Sequence, residues 1–129
     1  MAEDLSRLRQ QAAKLRKERE HLETLVLGTA PMIEGSLVKR YTVCGKRGCR
    51  CQRGRKHGPF LYLSRLEGRK LRTFYVRKGN WVVVRQMVER YRRFRERRRR
   101  IRELTAGIEA LLDEIGTLQK RKLEEVVDK

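Results

Sequence analysis

The chain has 129 residues, 39% of them hydrophobic, 39% charged and only 6% aromatic, with a formal net charge of +18 and a sequence pI near 10.9. That length fits one domain or a small module with extensions, and the shortage of aromatics excludes a large globular core in favour of solvated helices. The charge points to a polyanion, nucleic acid first and an acidic membrane surface second, while the longest purely apolar run, WVVV at residues 81–84, excludes a bilayer-spanning helix.

The charge is unevenly placed. Residues 1–35 carry six basic and six acidic side chains, and residues 36–80 carry fourteen basic and one acidic, Glu67. Residues 81–102 carry ten and two, and residues 103–129 carry four and seven. One positive block therefore lies between balanced ends, which marks a functional surface better than a high total does. The opening MAED has neither the basic residues nor the apolar core of a signal peptide, so a cytoplasmic protein with no membrane partner is expected.

The first element is a helix over about residues 3–27. Leu8, Leu15 and Leu22 recur every seven residues, and Leu5, Ala12, Arg19 and Val26 fill the complementary seam position. Arg19 is the one departure, and its aliphatic stem still covers apolar surface. Gly28 and Pro31 end the pattern.

A strand is expected over residues 37–44, where the residues are β-branched, aromatic and basic and include Lys39 and Arg40. It leads into CGKRGCRCQRGRKHG, residues 44–58, which holds all three cysteines and one of the two histidines. An odd cysteine count within eight residues argues against a disulfide framework and for thiols or a metal. Cys44, Cys49, Cys51 and His57 together form a complete tetrahedral zinc set, and the interspersed glycines let a short loop fold back on one ion. The spacing is not the paired Cys-x2-Cys of zinc fingers, so two other readings stand beside it: three reduced thiols on a basic loop, and a thiol redox switch. With or without metal the loop is basic, carrying Lys46, Arg47, Arg50, Arg53, Arg55 and Lys56 and no acid.

Two further strands follow, FLYLSRL over residues 60–66 and RKLRTFYVR over residues 69–77, joined by a tight turn at Glu67-Gly68. That turn predicts Leu66 opposite Arg69, Arg65 opposite Lys70, Leu63 opposite Arg72 and Leu61 opposite Phe74. Leu61, Leu63, Phe74 and Val76 then share one face with Arg65, Lys70 and Arg72 at its tip. The like-charge pair at the tip weakens the hairpin, a cost that is tolerable if an anion lies between the two cations. A two-stranded ribbon also fits the DNA major groove, which makes these three residues the candidates for base edges.

The last element is a long helix from Trp81 to about residue 126, with Asn80 as N-cap. Ile101, Ile108 and Ile115 alternate with Leu104, Leu111 and Leu118 in a second seven-residue pattern. Its first half holds RRFRERRRRIR, residues 92–102, with eight arginines in eleven positions. Arg92, Arg95, Arg99 and Arg102 share one helical face, and so many guanidinium groups with so few acids favour phosphate contact over a merely solvated face. At roughly 70 Å against about 37 Å the last helix outruns the first, so an antiparallel hairpin with length to spare for a second copy or a partner helix is expected.

Enzymatic signals are weak. The acids of the basic block, Glu67, Glu89 and Glu96, lack the clustering that two-metal phosphoryl chemistry needs, and no phosphate-binding glycine motif is present. The tyrosines could serve as nucleophiles only in a larger domain.

GSLV at residues 35–38, CGKRGCRC, His57-Gly58-Pro59, YLS at residues 62–64 and residues 72–78 together resemble a family of short bacterial and archaeal proteins with no assigned function. The resemblance implies one Cys/His module with helical arms of variable sequence and implies nothing about activity.

These readings give an α+β fold in which N- and C-terminal helices, paired as an antiparallel coiled-coil-like hairpin, flank a small three-stranded antiparallel sheet with a Cys/His loop. The segments are an N-terminal helix (1–30), a basic β module (31–79) and a long C-terminal helix (80–129). The expected function is non-enzymatic nucleic-acid binding, with duplex DNA favoured over RNA. The main alternative is an assembly adaptor whose helices take a partner and whose basic block docks on an acidic protein or a ribosome.

Overall fold

The computed structural model describes residues 2–121 and 123–127. The order is α1 (Ala2–Val26), β1 (Ser36–Thr42), β2 (His57–Glu67), β3 (Lys70–Val76), α2 (Trp81–Gln119) and α3 (Leu123–Val127), with short 3-10 turns at Arg50–Arg53 and Lys78–Asn80. The fold is α+β, with helices preceding and following in the chain a three-stranded antiparallel sheet of order β1-β2-β3. The chain divides into two compact units, one of Met1–Thr29 with Phe94–Lys129 and one of Ala30–Arg93.

In the helical unit the seven-residue pattern of α1 is the burial pattern. Leu5, Leu8, Ala12, Leu15, Arg19, Leu22 and Val26 are its seam, with Leu8 buried and the others half-buried. The facing seam of α2 runs Phe94, Arg97, Ile101, Leu104, Ile108, Leu111, Ile115 and Leu118, with Leu104 and Ile108 buried. The cross-helix contacts run in opposite directions along the two helices: Glu18 meets Arg100, Arg19 Nη1 donates to Thr105 Oγ1 at 3.5 Å, and Leu15 packs over Gly107. A Cβ at Gly107 would lie 3.1 Å from Leu15 Cδ1, so a small residue lets the helices approach. Arg19 lies in the seam as expected, and its guanidinium reaches Glu23 at 3.4 Å.

α2 ends earlier than the sequence pattern suggests, at Gln119 rather than near residue 126. The last turn closes on itself: Arg121 Nη1 donates to the carbonyls of Leu118 at 3.2 Å and Lys120 at 3.1 Å. A guanidinium on the terminal carbonyls satisfies acceptors that the next turn would otherwise have taken. The helix resumes as the short α3.

In the sheet unit the core is Leu61, Leu63 and Val76, with Ile33, Leu37, Phe74, Trp81, Val84 and Val88 packed against it. The first turns of α2 thus cover one face of the sheet. Trp81 Nε1 donates to the Val76 carbonyl at 3.0 Å, and Ile33 N–H donates to the Met87 carbonyl at 3.1 Å. The extra length of α2 over α1 is used here, on the sheet.

The hairpin register differs from the expected one by two residues. Arg65 faces Arg72, Leu66 faces Leu71, Glu67 faces Lys70 and Leu63 faces Phe74. The turn is Gly68-Arg69, one residue later than Glu67-Gly68. Gly68 has φ +66° and no other residue type has positive φ among the described residues, so glycine takes the first central position, as a type II′ turn requires. A shift of two preserves side-chain faces, so the apolar base and the cationic tip still share one side.

Candidate metal centre and basic surface

β1 and β2 pair from Ser36↔Ser64 to Arg40↔Phe60, and then Thr42 faces His57. Gly58 and Pro59 therefore stand together opposite Tyr41 as a bulge, which turns the end of β2 towards the loop. Gly58 has φ +129°, and a Cβ there would lie 2.8 Å from the Arg40 carbonyl oxygen, so only glycine fits. The pairing puts Cys44, two residues past β1, beside His57, the first residue of β2. The 3-10 turn Arg50–Arg53 then folds Cys49 and Cys51 back over that mouth, and Gly54 at φ 98° lets the chain leave it.

The result is a four-ligand cluster. One donor atom each from Cys44, Cys49, Cys51 and His57 lies within 4.8 Å of the others, and the group could hold a metal ion. Cys44 Sγ is 3.4 Å from Cys51 Sγ, and Cys49 Sγ is 3.2 Å from His57 Nε2. Tetrahedral zinc with Zn–S bonds of ~2.3 Å needs sulfurs about 3.8 Å apart, so one ion fits with small adjustments. The Cys-x-Cys spacing is accommodated because Cys49 is extended, at φ −69° and ψ 145°, while Cys51 sits inside the 3-10 turn.

The electrostatics of the cluster divide its thiols. The Cys51 backbone N–H, then the side chains of Cys44 and Cys51, hold the Cys49 thiol down to about 6, so thiolate is its neutral-pH form. Burial pushes the Cys51 thiol up. The Cys44 backbone N–H donates to Cys51 Sγ at 3.3 Å, an amide–sulfur bond that would also stabilise a bound thiolate.

Around the cluster, Lys46, Arg47, Arg50, Arg53, Arg55 and Lys56 are all exposed. Gln52 braces the loop by donating to the Lys46 carbonyl at 2.9 Å. On β1, Lys39 is exposed opposite Leu61, and the Arg40 guanidinium lies over the Tyr62 ring, 5.2 Å from its centroid. At the hairpin tip, Glu67 accepts from Arg65 Nη2 at 2.7 Å on one carboxylate oxygen and from Arg72 Nη1 at 2.7 Å on the other. These guanidinium groups hold the Glu67 carboxyl below its ordinary range, Arg72 contributing most. Lys70 is exposed opposite Glu67.

The arginine run falls across the two units. Arg92 and Arg93 lie in the sheet unit and both pair with Glu89. Arg95, Arg99 and Arg102 are exposed in the helical unit, where Arg97 occupies the seam and Arg100 bridges Glu18 at 2.9 Å and Glu103 at 3.3 Å. The role of Glu67 was not foreseen from sequence, although its being the sole acid of residues 36–80, beside a turn, was the available signal.

A protein family described as a domain of unknown function, DUF6788, matches residues 3–86. The chain belongs to that family. Neither a curated protein nor a solved structure matches it.

Proposed function

We propose that this protein binds nucleic acid without catalysing a reaction on it, and that its phosphate contacts come from the Cys/His loop and the arginine-rich part of α2. The observation carrying this reading is the loop itself: six exposed cations, no acid between residues 36 and 66, and the nearest acid, Glu67, already shared by Arg65 and Arg72. Lys39 and Lys70 extend the same charge along the sheet, and duplex DNA is the ligand favoured. The Arg65–Glu67–Arg72 clamp shifts the weight from base reading at the hairpin tip to phosphate contact at the loop.

Zinc is the ion proposed for Cys44, Cys49, Cys51 and His57. Four protein ligands close the coordination sphere, which is the pattern of a structural rather than a catalytic site. Its role would be to fix a glycine-rich loop whose cations otherwise repel one another.

One observation favours the adaptor reading: Arg92, Arg93 and Arg100 are tied to acids of the chain itself. The readings separate in a variant with Arg95, Arg99 and Arg102 changed to Ala. Loss of nucleic-acid binding with the fold intact supports the proposal. Full retention of binding, with loss of a protein complex, supports the adaptor, and sedimentation of the same samples reports self-association.

A further inference from the structure

Strand alternation gives the sheet a second face, opposite Leu61, Leu63 and Val76. Across its middle runs the row Val38–Tyr62–Tyr75, set by the Val38↔Tyr62 and Tyr62↔Tyr75 pairings. At strand spacings of ~4.8 Å this row is about 10 Å wide. Antiparallel sheets that leave one face in water normally carry polar side chains there. Here Tyr75 is 59% exposed and Val38 is 38% exposed.

The two tyrosines meet edge to face, with ring centroids 5.7 Å apart and planes at 64°. A cross-strand aromatic pair stabilises a sheet, which accounts for half-buried Tyr62. It leaves the outer face of Tyr75 unused. The cation beside this row is Arg40, stacked over Tyr62, and the residue following β3 is Arg77. Every residue on this face from Ser36 to Arg40, Phe60 to Leu66 and Leu71 to Arg77 is neutral or basic.

We infer that this face is a stacking platform for unpaired bases of a single-stranded nucleic acid, with a base on Tyr75 and the adjoining phosphates on Arg40 and Arg77. The chemistry requires flat π-surfaces that bases of any sequence can cover, and cations at their margin to follow the backbone; sheet aromatics and arginine planes supply both. The inference rests on the nucleic-acid reading above and adds to it a surface and a ligand class. Charge and aromaticity together select the occupant: an acid-free aromatic face suits a polyanion in which every charged unit carries a π-face, as a nucleic acid does.

The test uses the full chain with fluorescein-labelled oligothymidylate and oligouridylate of about ten nucleotides, and a duplex of equal length as control. Tyr75→Ala should weaken single-strand binding by about 5- to 150-fold, the cost of losing one stacked base. Tyr75→Phe should restore it, and duplex affinity should not move. Tyr62→Ala should act in the same direction. Single-strand affinity unchanged in both alanine variants, with duplex and single strand still bound, overturns the platform and leaves the parent reading standing. Absence of binding to either probe by the unaltered protein overturns the parent reading and the platform with it. The two oligomers distinguish DNA from RNA as the source of the bases.

Discussion

Arg65 and Arg72 stand opposite each other on β2 and β3 and are held by the two oxygens of one carboxylate, that of Glu67. Both guanidinium groups also lie over the Phe74 ring, 5.0 and 5.7 Å from its centroid. A like-charge pair across a hairpin is unfavourable, and here the protein supplies its own anion to offset it. Glu67→Gln should therefore lower the thermal stability of the sheet unit. The same change frees two arginines, so it should steepen the salt dependence of polyanion binding by up to about two in log–log slope. Anisotropy titrations at several salt concentrations check the second outcome.

The clamp also has a pH signature. The Glu67 carboxyl is held below its ordinary value of 4.5 by Arg72 and Arg65. A depressed folded-state pKa means its contribution to stability is complete above about 4.5 and is lost as pH falls through the folded value. Carbon-detected NMR titration of the Glu67 carboxyl should place its midpoint below that of exposed glutamates, and Arg72→Gln should raise it.

The cluster of Cys44, Cys49, Cys51 and His57 should bind one zinc per chain. Cobalt substitution should give the absorption of a tetrahedral thiolate site, and mass spectrometry under native conditions should count the ion. Cys49→Ser should weaken zinc binding by more than the roughly 10- to 100-fold that loss of an outer-shell partner costs. Chelation should lower the melting temperature of the intact protein but not of the Cys49→Ser variant.

Gly58→Ala tests how the strands build that site. Its φ of +129° and the 2.8 Å approach to the Arg40 carbonyl leave no room for a side chain. Backbone strain of this kind costs of order 1–3 kcal/mol. The denaturation midpoint and zinc affinity should fall together, because the same bulge places His57.

Leu104 is 1% exposed at the centre of the helical unit. Leu104→Ala should cost about 2–5 kcal/mol in denaturant unfolding through the cavity it leaves. Arg100→Ala, by contrast, removes only exposed ion pairs to Glu18 and Glu103 and should change stability little.

Much of this fold could be read from residue patterns. The α1 seam of Leu5, Leu8, Ala12, Leu15, Arg19, Leu22 and Val26 is visible as a seven-residue repeat because burial alone decides those positions. Cys44, Cys49, Cys51 and His57 stood out because every cysteine of the chain lies in that one glycine-rich loop with a histidine. The hairpin register was misread because Gly68 can occupy either central turn position with a positive φ, and only the pairing of Glu67 with Lys70 puts it first. The end of α2 was misread because no glycine or proline follows Leu118 to mark a stop, while the Arg121 side chain closes the last turn. Side-chain pairing such as Glu67 with Arg65 and Arg72 depends on that register and could not precede it.

The central claim is that the basic block, acid-free from residue 36 to residue 66, binds a nucleic-acid backbone. The most direct measurement is fluorescence anisotropy of the full protein with a labelled DNA duplex across a salt series, with RNA and single-stranded DNA as competitors. Neutralising on the order of five to eight phosphates predicts a log–log slope of about −4 to −7 and micromolar or tighter binding at ~100 mM salt. No binding at that salt concentration would contradict the account and direct the search to an acidic protein partner.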